Sequence, residues 1–295
     1  MNAADPIARV TVISTGSVAI RPEHVGPTKK SQTNWLLTSH RWTKPLPINV
    51  YVLEHARGLV LFDTGQDRAS VTDDRYFPRG LLGIAYSRLA RFEIGEGDTL
   101  SRQLAAIGYD IADVTTVIVS HLHQDHIGGL GELGHAEILV SGEEWESLSL
   151  PRPTMRGLLT SHIDLPGLRW RRIDFSPLGT DELSPFTTGL DLFGDGSMII
   201  LPTPGHTPGS ISLLVRRPGQ LPLLLIGDLS YDNDLMERGG VPGSGDRHEM
   251  EASTELVNRL RAKLPGLVVL AAHDPSAAGR LKGALASSTL PRSAD

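Results

Sequence analysis

The chain has 295 residues, 40% hydrophobic and 21% charged, with a formal net charge of −6 and no cysteine. That length and balance suit a soluble globular protein with one large core or two smaller ones. The missing thiols exclude disulfides, cysteine nucleophiles and thiolate metal ligands, and an acidic chain with no densely basic stretch argues against a nucleic-acid partner.

No run approaches the roughly 18 consecutive apolar residues of a membrane-spanning helix, so no membrane partner is expected. The first residues, Met1-Asn2-Ala3-Ala4-Asp5-Pro6, lack a basic segment followed by an apolar one, which favours the cytoplasm.

Strand signals come first at residues 8–13 and 49–53. The second passes through the turn His55-Ala56-Arg57-Gly58 into 59–62, which reads as a hairpin stopping at Asp63-Thr64-Gly65. Residues 66–97, with scattered prolines and glycines, read as a partly helical insertion. Asp98 is expected to cap a helix carrying Leu100, Leu104 and Ile107, with Gly108 as its stop. The β-branched run 114–119 reads as a buried strand and leads directly into Ser120-His121-Leu122-His123-Gln124-Asp125-His126.

A second insertion is expected at about 146–190. Residues 197–201 form a strand ending in Pro202-Thr203-Pro204-Gly205-His206. Residues 211–215 and 221–226 form a hairpin ending at Gly227-Asp228. An amphipathic helix over 252–264 turns Leu256, Val257, Leu260 and Leu264 inward, and a strand at 267–271 ends at His273-Asp274. Four separate strands thus finish in His or Asp, and strand ends gather along one rim of a sheet. Helices between strands in both halves imply an α/β fold with two sheets and helices packed outside, the whole of 1–295 forming one domain.

The strongest chemical signal is His121-x-His123-x-Asp125-His126. Alternate residues of an extended segment point the same way, so His121 and His123 can share one metal, while the turn that follows sends Asp125 and His126 elsewhere. Without thiols, a metal here is held by imidazole nitrogen and carboxylate oxygen, a donor set that suits zinc and also manganese, iron or cobalt. A lone histidine is usually structural. Three among 11 histidines, clustered with an aspartate after a buried strand, are a ligand set.

This segment resembles the shared motif of the metallo-β-lactamase-fold superfamily, and the likeness runs over roughly residues 8–275. It implies a four-layer αββα sandwich of two pseudo-symmetric halves, and two zinc ions. His121, His123 and His206 would hold one ion and Asp125, His126 and His273 the other, with Asp228 touching both. Asp63 would orient the metal loop. His24, His40, His55, His135, His162 and His248 have no such context and are expected to be structural or solvent-exposed.

Within the superfamily, Asp228-Leu229-Ser230-Tyr231 and Pro47-Ile48-Asn49-Val50-Tyr51 look like the N-acyl-homoserine lactonases, the quorum-quenching lactonases. That likeness implies attack of a metal-bridging hydroxide on the lactone carbonyl, Tyr231 stabilising the oxyanion, and Asp125 or Asp228 passing a proton to the leaving oxygen. The acyl chain is expected against Phe77, Leu81, Leu82, Tyr86 and Phe186 of the insertions. The alternatives are a pyridoxolactone, aryl-ester, thiolester or organophosphate hydrolase of the same fold. A metal-bound binding protein, or an iron variant with a flavoprotein partner, is disfavoured. The partner is a small-molecule lactone or ester, and a homodimer is left open.

Overall fold

Side chains along the central strands alternate between two cores. Met198 and Ile200 enter one cluster, and Ile199 and Leu201 enter another. This period-two pattern requires apolar cover on both faces of the strand. The computed structural model, which describes residues 5–179 and 181–287, supplies it with two stacked sheets.

The first sheet holds β1 (Ile7–Ile20), β2 (Leu46–His55), β3 (Gly58–Phe62), β4 (Ala90–Glu93), β5 (Val114–Ile118), β6 (Glu137–Ser141) and β7 (Arg169–Ile173), in the order β4-β1-β2-β3-β5-β6-β7. The second holds β8 (Ser176–Pro177), β9 (Thr188–Asp191), β10 (Met198–Pro202), β11 (Ile211–Val215), β12 (Leu223–Leu225) and β13 (Val268–Leu270), in the order β13-β12-β11-β10-β9-β8. Strands β3, β5, β6 and β7 run parallel, as do β12 and β13, so their C-terminal ends share a rim.

Tyr51, Val60, Phe62 and Ile118 of the first sheet meet Ile200, Leu213, Leu225 and Leu270 of the second in the central core. On the outer face of the first sheet, Val52, Leu61 and Val117 pack with Leu100 and Leu104 of the helix Leu100–Ala106. On the outer face of the second, Leu214, Leu224 and Val269 pack with Met250, Val257 and Leu260 of the helix Arg247–Lys263. The result is the expected αββα sandwich. Among the described residues no helix is long and apolar enough to cross a membrane.

Several local expectations need correction. Asp98 does not cap the helix at 100. Its carboxylate accepts from Gly95 N at 2.7 Å, closing the short turn Glu96–Asp98, and Thr99 takes the N-cap position. The helix expected from 252 begins at Arg247, because Asp246 accepts from Glu249 N at 3.0 Å and starts it earlier. Leu256 of that helix and Leu264, which caps its C-terminus, are only partly buried, and Met250, Ser253 and Thr254 take the inner face with Val257 and Leu260. The first strand runs on to Ile20. A register shift between Ser14 and Ser17, with Gly16 at φ 104°, lets its far half pair with β4. Within 66–97 lie the helices Ala69–Thr72 and Leu81–Leu89 and the edge strand β4.

Candidate metal centre and its cavity

Five chain segments deliver the chemistry to the shared rim. The segment after β5 carries His121, His123, Asp125 and His126; turns after β10, β12 and β13 carry His206, Asp228 and His273; the end of β3 carries Asp63. His121 Nε2 and His206 Nε2 each lie 3.0 Å from His123 Nδ1, so three imidazole nitrogens converge on one point. Beside it, Asp228 Oδ1 lies 3.4 Å from both His126 Nε2 and His273 Nε2, and Asp125 Oδ2 lies 3.4 Å from His273 Nε2. Asp228 Oδ2 is 3.6 Å from His206 Nε2, so the carboxylate spans both groups. All seven expected ligands are thus brought together, in three overlapping clusters each compact enough for one ion.

The outward nitrogens of three of the rings are fixed by hydrogen bonds. Asp63 Oδ2 accepts from His126 Nδ1 at 2.8 Å, the carbonyl of Pro47 accepts from His273 Nδ1 at 2.9 Å, and that of Arg156 accepts from His123 Nε2 at 3.1 Å. Each bond selects the tautomer whose other nitrogen offers a lone pair to the centre. Asp63 itself sits at φ 64°, in the left-handed region that aspartate tolerates better than most residues. There its carboxylate also receives Ser120 N at 2.7 Å and Ser120 Oγ at 2.9 Å.

Among the described residues, the buried atoms His126 Nε2 and Asp228 Oδ1 make no hydrogen bond, although buried polar groups are nearly always paired. Both point into the cluster, and a divalent cation satisfies both. The donor set of imidazoles and carboxylates therefore fits the divalent metal that the fold implies.

Electrostatics agree. Burial lowers the His121 and His206 pKa values well below the usual imidazole range, leaving neutral rings with lone pairs. Burial opposes the charge on His126 as well, but Asp228 and Asp63 outweigh it and raise its pKa well above 6.5. Asp125 and Asp228 are lowered against their burial by neighbouring histidines, chiefly His273 and His126, and stay ionised.

One supporting residue has no signature in the sequence. Glu144 is fully buried, and its carboxylate accepts from Leu122 N at 2.9 Å and Gly209 N at 3.1 Å. It thereby ties the His121–His126 loop to the turn carrying His206. Its helix, Gly142–Ser147, is capped by Ser141, whose hydroxyl also donates to Gly209 O at 2.6 Å.

The centre opens into a cavity of about 510 Å³. One wall is His123, Asp125, His206, Asp228, Tyr231 and His273, and the facing wall is apolar. Leu82 and Tyr86 line it as expected, but Leu81 and Phe186 do not. Leu81 points to solvent at 86% exposure, and Phe186 is buried in the core outside the second sheet. Phe77 packs against Tyr86 and Phe92 rather than lining the space. Val18 and Ile20 of β1 and Leu36 and Leu37 of the helix Gln32–Thr38 complete the apolar wall, from a region with no expected part in it.

Tyr231 stands where the two walls meet, its hydroxyl donating to Asp228 Oδ2 at 2.6 Å and its ring stacked on His273. His24, expected to be a structural or exposed residue, lines the same cavity and lies 3.0 Å from the Tyr231 hydroxyl. No local motif marks it, because it reaches the site from a four-residue helix, Pro22–Val25, far away in the chain. The other uncommitted histidines stay away from the cavity. His55 bonds Asp195, His162 stacks on Tyr76, His135 bonds Ile111 O, and His40 and His248 are exposed.

The pattern of the metallo-beta-lactamase superfamily matches residues 43–273. The chain belongs to that superfamily. Within the superfamily it is 33% identical over 246 residues to the N-acyl homoserine lactonase AttM of Rhizobium radiobacter, spanning 81% of this chain and 86% of that one. It is 29% identical to the N-acyl homoserine lactonase AiiA of Bacillus thuringiensis subsp. kurstaki over 78% of this chain and 82% of that one. A solved N-acyl homoserine lactone hydrolase, holding N-hexanoyl-L-homoserine at its catalytic metal centre, superposes with a TM-score of 0.72 at 24% identity. The match covers 92% of this chain and 94% of that one. This superfamily member therefore sits in the N-acyl homoserine lactonase family by sequence, and the superposition supports the same fold.

Proposed function

We propose that this protein opens the ring of N-acyl homoserine lactones at a dinuclear zinc centre. His121, His123 and His206 would hold one ion and Asp125, His126 and His273 the other, with Asp228 touching both. The observation that carries the reading is the position of Tyr231, at the seam between the ligand cluster and an apolar wall. Such a seam matches a substrate with a compact polar ring and an aliphatic tail.

Two zinc ions bound there would supply Lewis acidity and a water activated near neutral pH. The remaining work falls to side chains. The Tyr231 phenol is kept protonated, because burial and Asp228 raise its pKa well above 10, so it serves as a neutral donor. Turned toward substrate, its O–H donates to the carbonyl oxygen as that oxygen gains negative charge. The ester bond to the ring oxygen then breaks, and Asp228 or Asp125 carries the proton of the attacking water to the leaving oxygen. The product is the open N-acyl homoserine. Val18, Ile20, Leu36, Leu82 and Phe92 take up the acyl chain, away from water.

Incubating metal-loaded protein with short- and long-chain acyl-homoserine lactones, a thiolester and an aryl phosphotriester, with acid release followed by pH-stat, separates this reading from its same-fold alternatives. Lactones are expected to turn over fastest. Turnover of the thiolester or phosphotriester alone would overturn it.

A further inference from the structure

The hydrogen bonds around Tyr231 fix the protonation of His24. A phenol has one hydrogen, and the Tyr231 hydroxyl directs it to Asp228 Oδ2 at 2.6 Å. The Asp228 carboxylate, ionised, can only accept. The phenol oxygen is therefore left to accept, and the contact at 3.0 Å requires His24 Nε2 to carry a proton and donate it. His24 Nδ1 is then the bare nitrogen, buried with no partner among the described residues. An imidazole held in this way donates to Tyr231, its one polar side-chain contact among the described residues.

The segment bearing His24 is clamped. Gly243 N donates to His24 O at 3.1 Å, and Trp35 Nε1 donates to Gly243 O at 3.3 Å. A Cβ at Gly243 would run into Glu23 O and Thr28 Cγ2, so only glycine lets the loop lie this close. The same loop reaches the metal-centre side, where Asp246 N donates to Gly205 O at 2.7 Å, one residue before His206. His24 is thus held in register with the cluster through contacts independent of its own ring.

We propose that His24 is a positioning residue for Tyr231, whose Nε2–H holds the phenol oxygen in place while the Tyr231 hydroxyl turns from Asp228 to the substrate carbonyl. Donation into the phenol oxygen also strengthens its O–H as a donor, as it does along any chain of hydrogen bonds. The inference rests on the lactonase reading for the identity of the substrate, but the bond itself is independent of substrate.

Two variants and one spectroscopic measurement test it. His24→Phe keeps the ring and removes the donor. His24→Gln places an amide N–H where Nε2 stands. His24→Phe is expected to retain the wild-type metal content, lower kcat on hexanoyl-homoserine lactone by about tenfold and leave KM nearly unchanged. His24→Gln should recover most of the loss. In a Tyr231→Phe background, His24→Phe should cost nothing further, because its effect passes through the phenol. In metal-free protein labelled with 15N-histidine, the His24 signals should show a proton on Nε2, with a resonance that moves in Tyr231→Phe.

A proton on Nδ1, or an equal His24→Phe loss with and without the Tyr231 hydroxyl, would overturn the proposal. If lactones are not turned over at all, the functional reading fails. The kinetic comparison then moves to whichever ester is hydrolysed, and the 15N measurement decides on the hydrogen bond in either case.

Discussion

Asp63 grips His126 from behind: its Oδ2 accepts from His126 Nδ1 at 2.8 Å while both carboxylate oxygens hold Ser120, the residue that opens the histidine loop. One side chain at the end of β3 thus sets both the orientation of a proposed metal ligand and the path of the loop that carries three others.

Asp63→Asn tests that link without straining the backbone, since asparagine also tolerates the left-handed region. The amide can accept on one side only, so either Ser120 or His126 loses its partner. Metal affinity is expected to fall by about 10- to 100-fold, read by competition with a chromogenic chelator. An unchanged affinity would show that His126 is oriented by something else.

Glu144→Gln removes one of two backbone acceptors at a fully buried position. The amide group would face either Leu122 N or Gly209 N, donor against donor, and leave that N–H unsatisfied. A loss of about 1–3 kcal/mol of folding stability follows, measured by urea denaturation of the metal-free form. Wild-type stability would mean that the loop and the His206 turn are joined by other contacts.

Metal uptake should expel protons. Against the opposing effect of burial, Asp228 and Asp63 raise the His126 pKa well above 6.5, so the metal-free site keeps a proton there, and Asp228 and Asp125 raise the His273 pKa. Metal and proton therefore compete for the same nitrogen, so affinity weakens as pH falls and strengthens as pH rises through the raised pKa values. Titration calorimetry at pH 7 in two buffers of different ionisation enthalpy should report release of at least about one proton for the loaded site. Identical heats in both buffers would contradict it.

The apolar wall predicts a chain-length effect. Ala85 lies on the cavity side of the helix Leu81–Leu89. Ala85→Phe should raise KM for decanoyl-homoserine lactone several-fold and leave butanoyl-homoserine lactone little changed, as kinetics on both will show. Equal losses on the two substrates would place the acyl chain elsewhere.

The proposed ligands were legible because their chemistry is local. His121, His123, Asp125 and His126 fall within six residues after a strand, and His206, Asp228 and His273 each close a strand with a visible apolar pattern. Asp63 was legible for the same reason. His24 and Glu144 were not. Each acts through a partner distant in sequence, Tyr231 and Gly209 respectively, and neither sits in a pattern that sets it apart from a surface residue. The cavity wall failed for a related reason. An amphipathic helix such as Leu81–Leu89 shows that a face is apolar, but not which of Leu81 and Leu82 faces inward; that is set by the packing of Gln32–Thr38 and β1 beside it.

If seven side chains hold two metal ions that the reaction needs, metal content and turnover must be lost and regained together. Elemental analysis of purified protein, paired with lactone turnover before and after chelation, tests it most directly. Two equivalents of divalent metal are expected in the wild type and about one in His273→Ala, with activity that disappears on chelation and returns with zinc. A protein free of stoichiometric metal that still opens the lactone at full rate would contradict it.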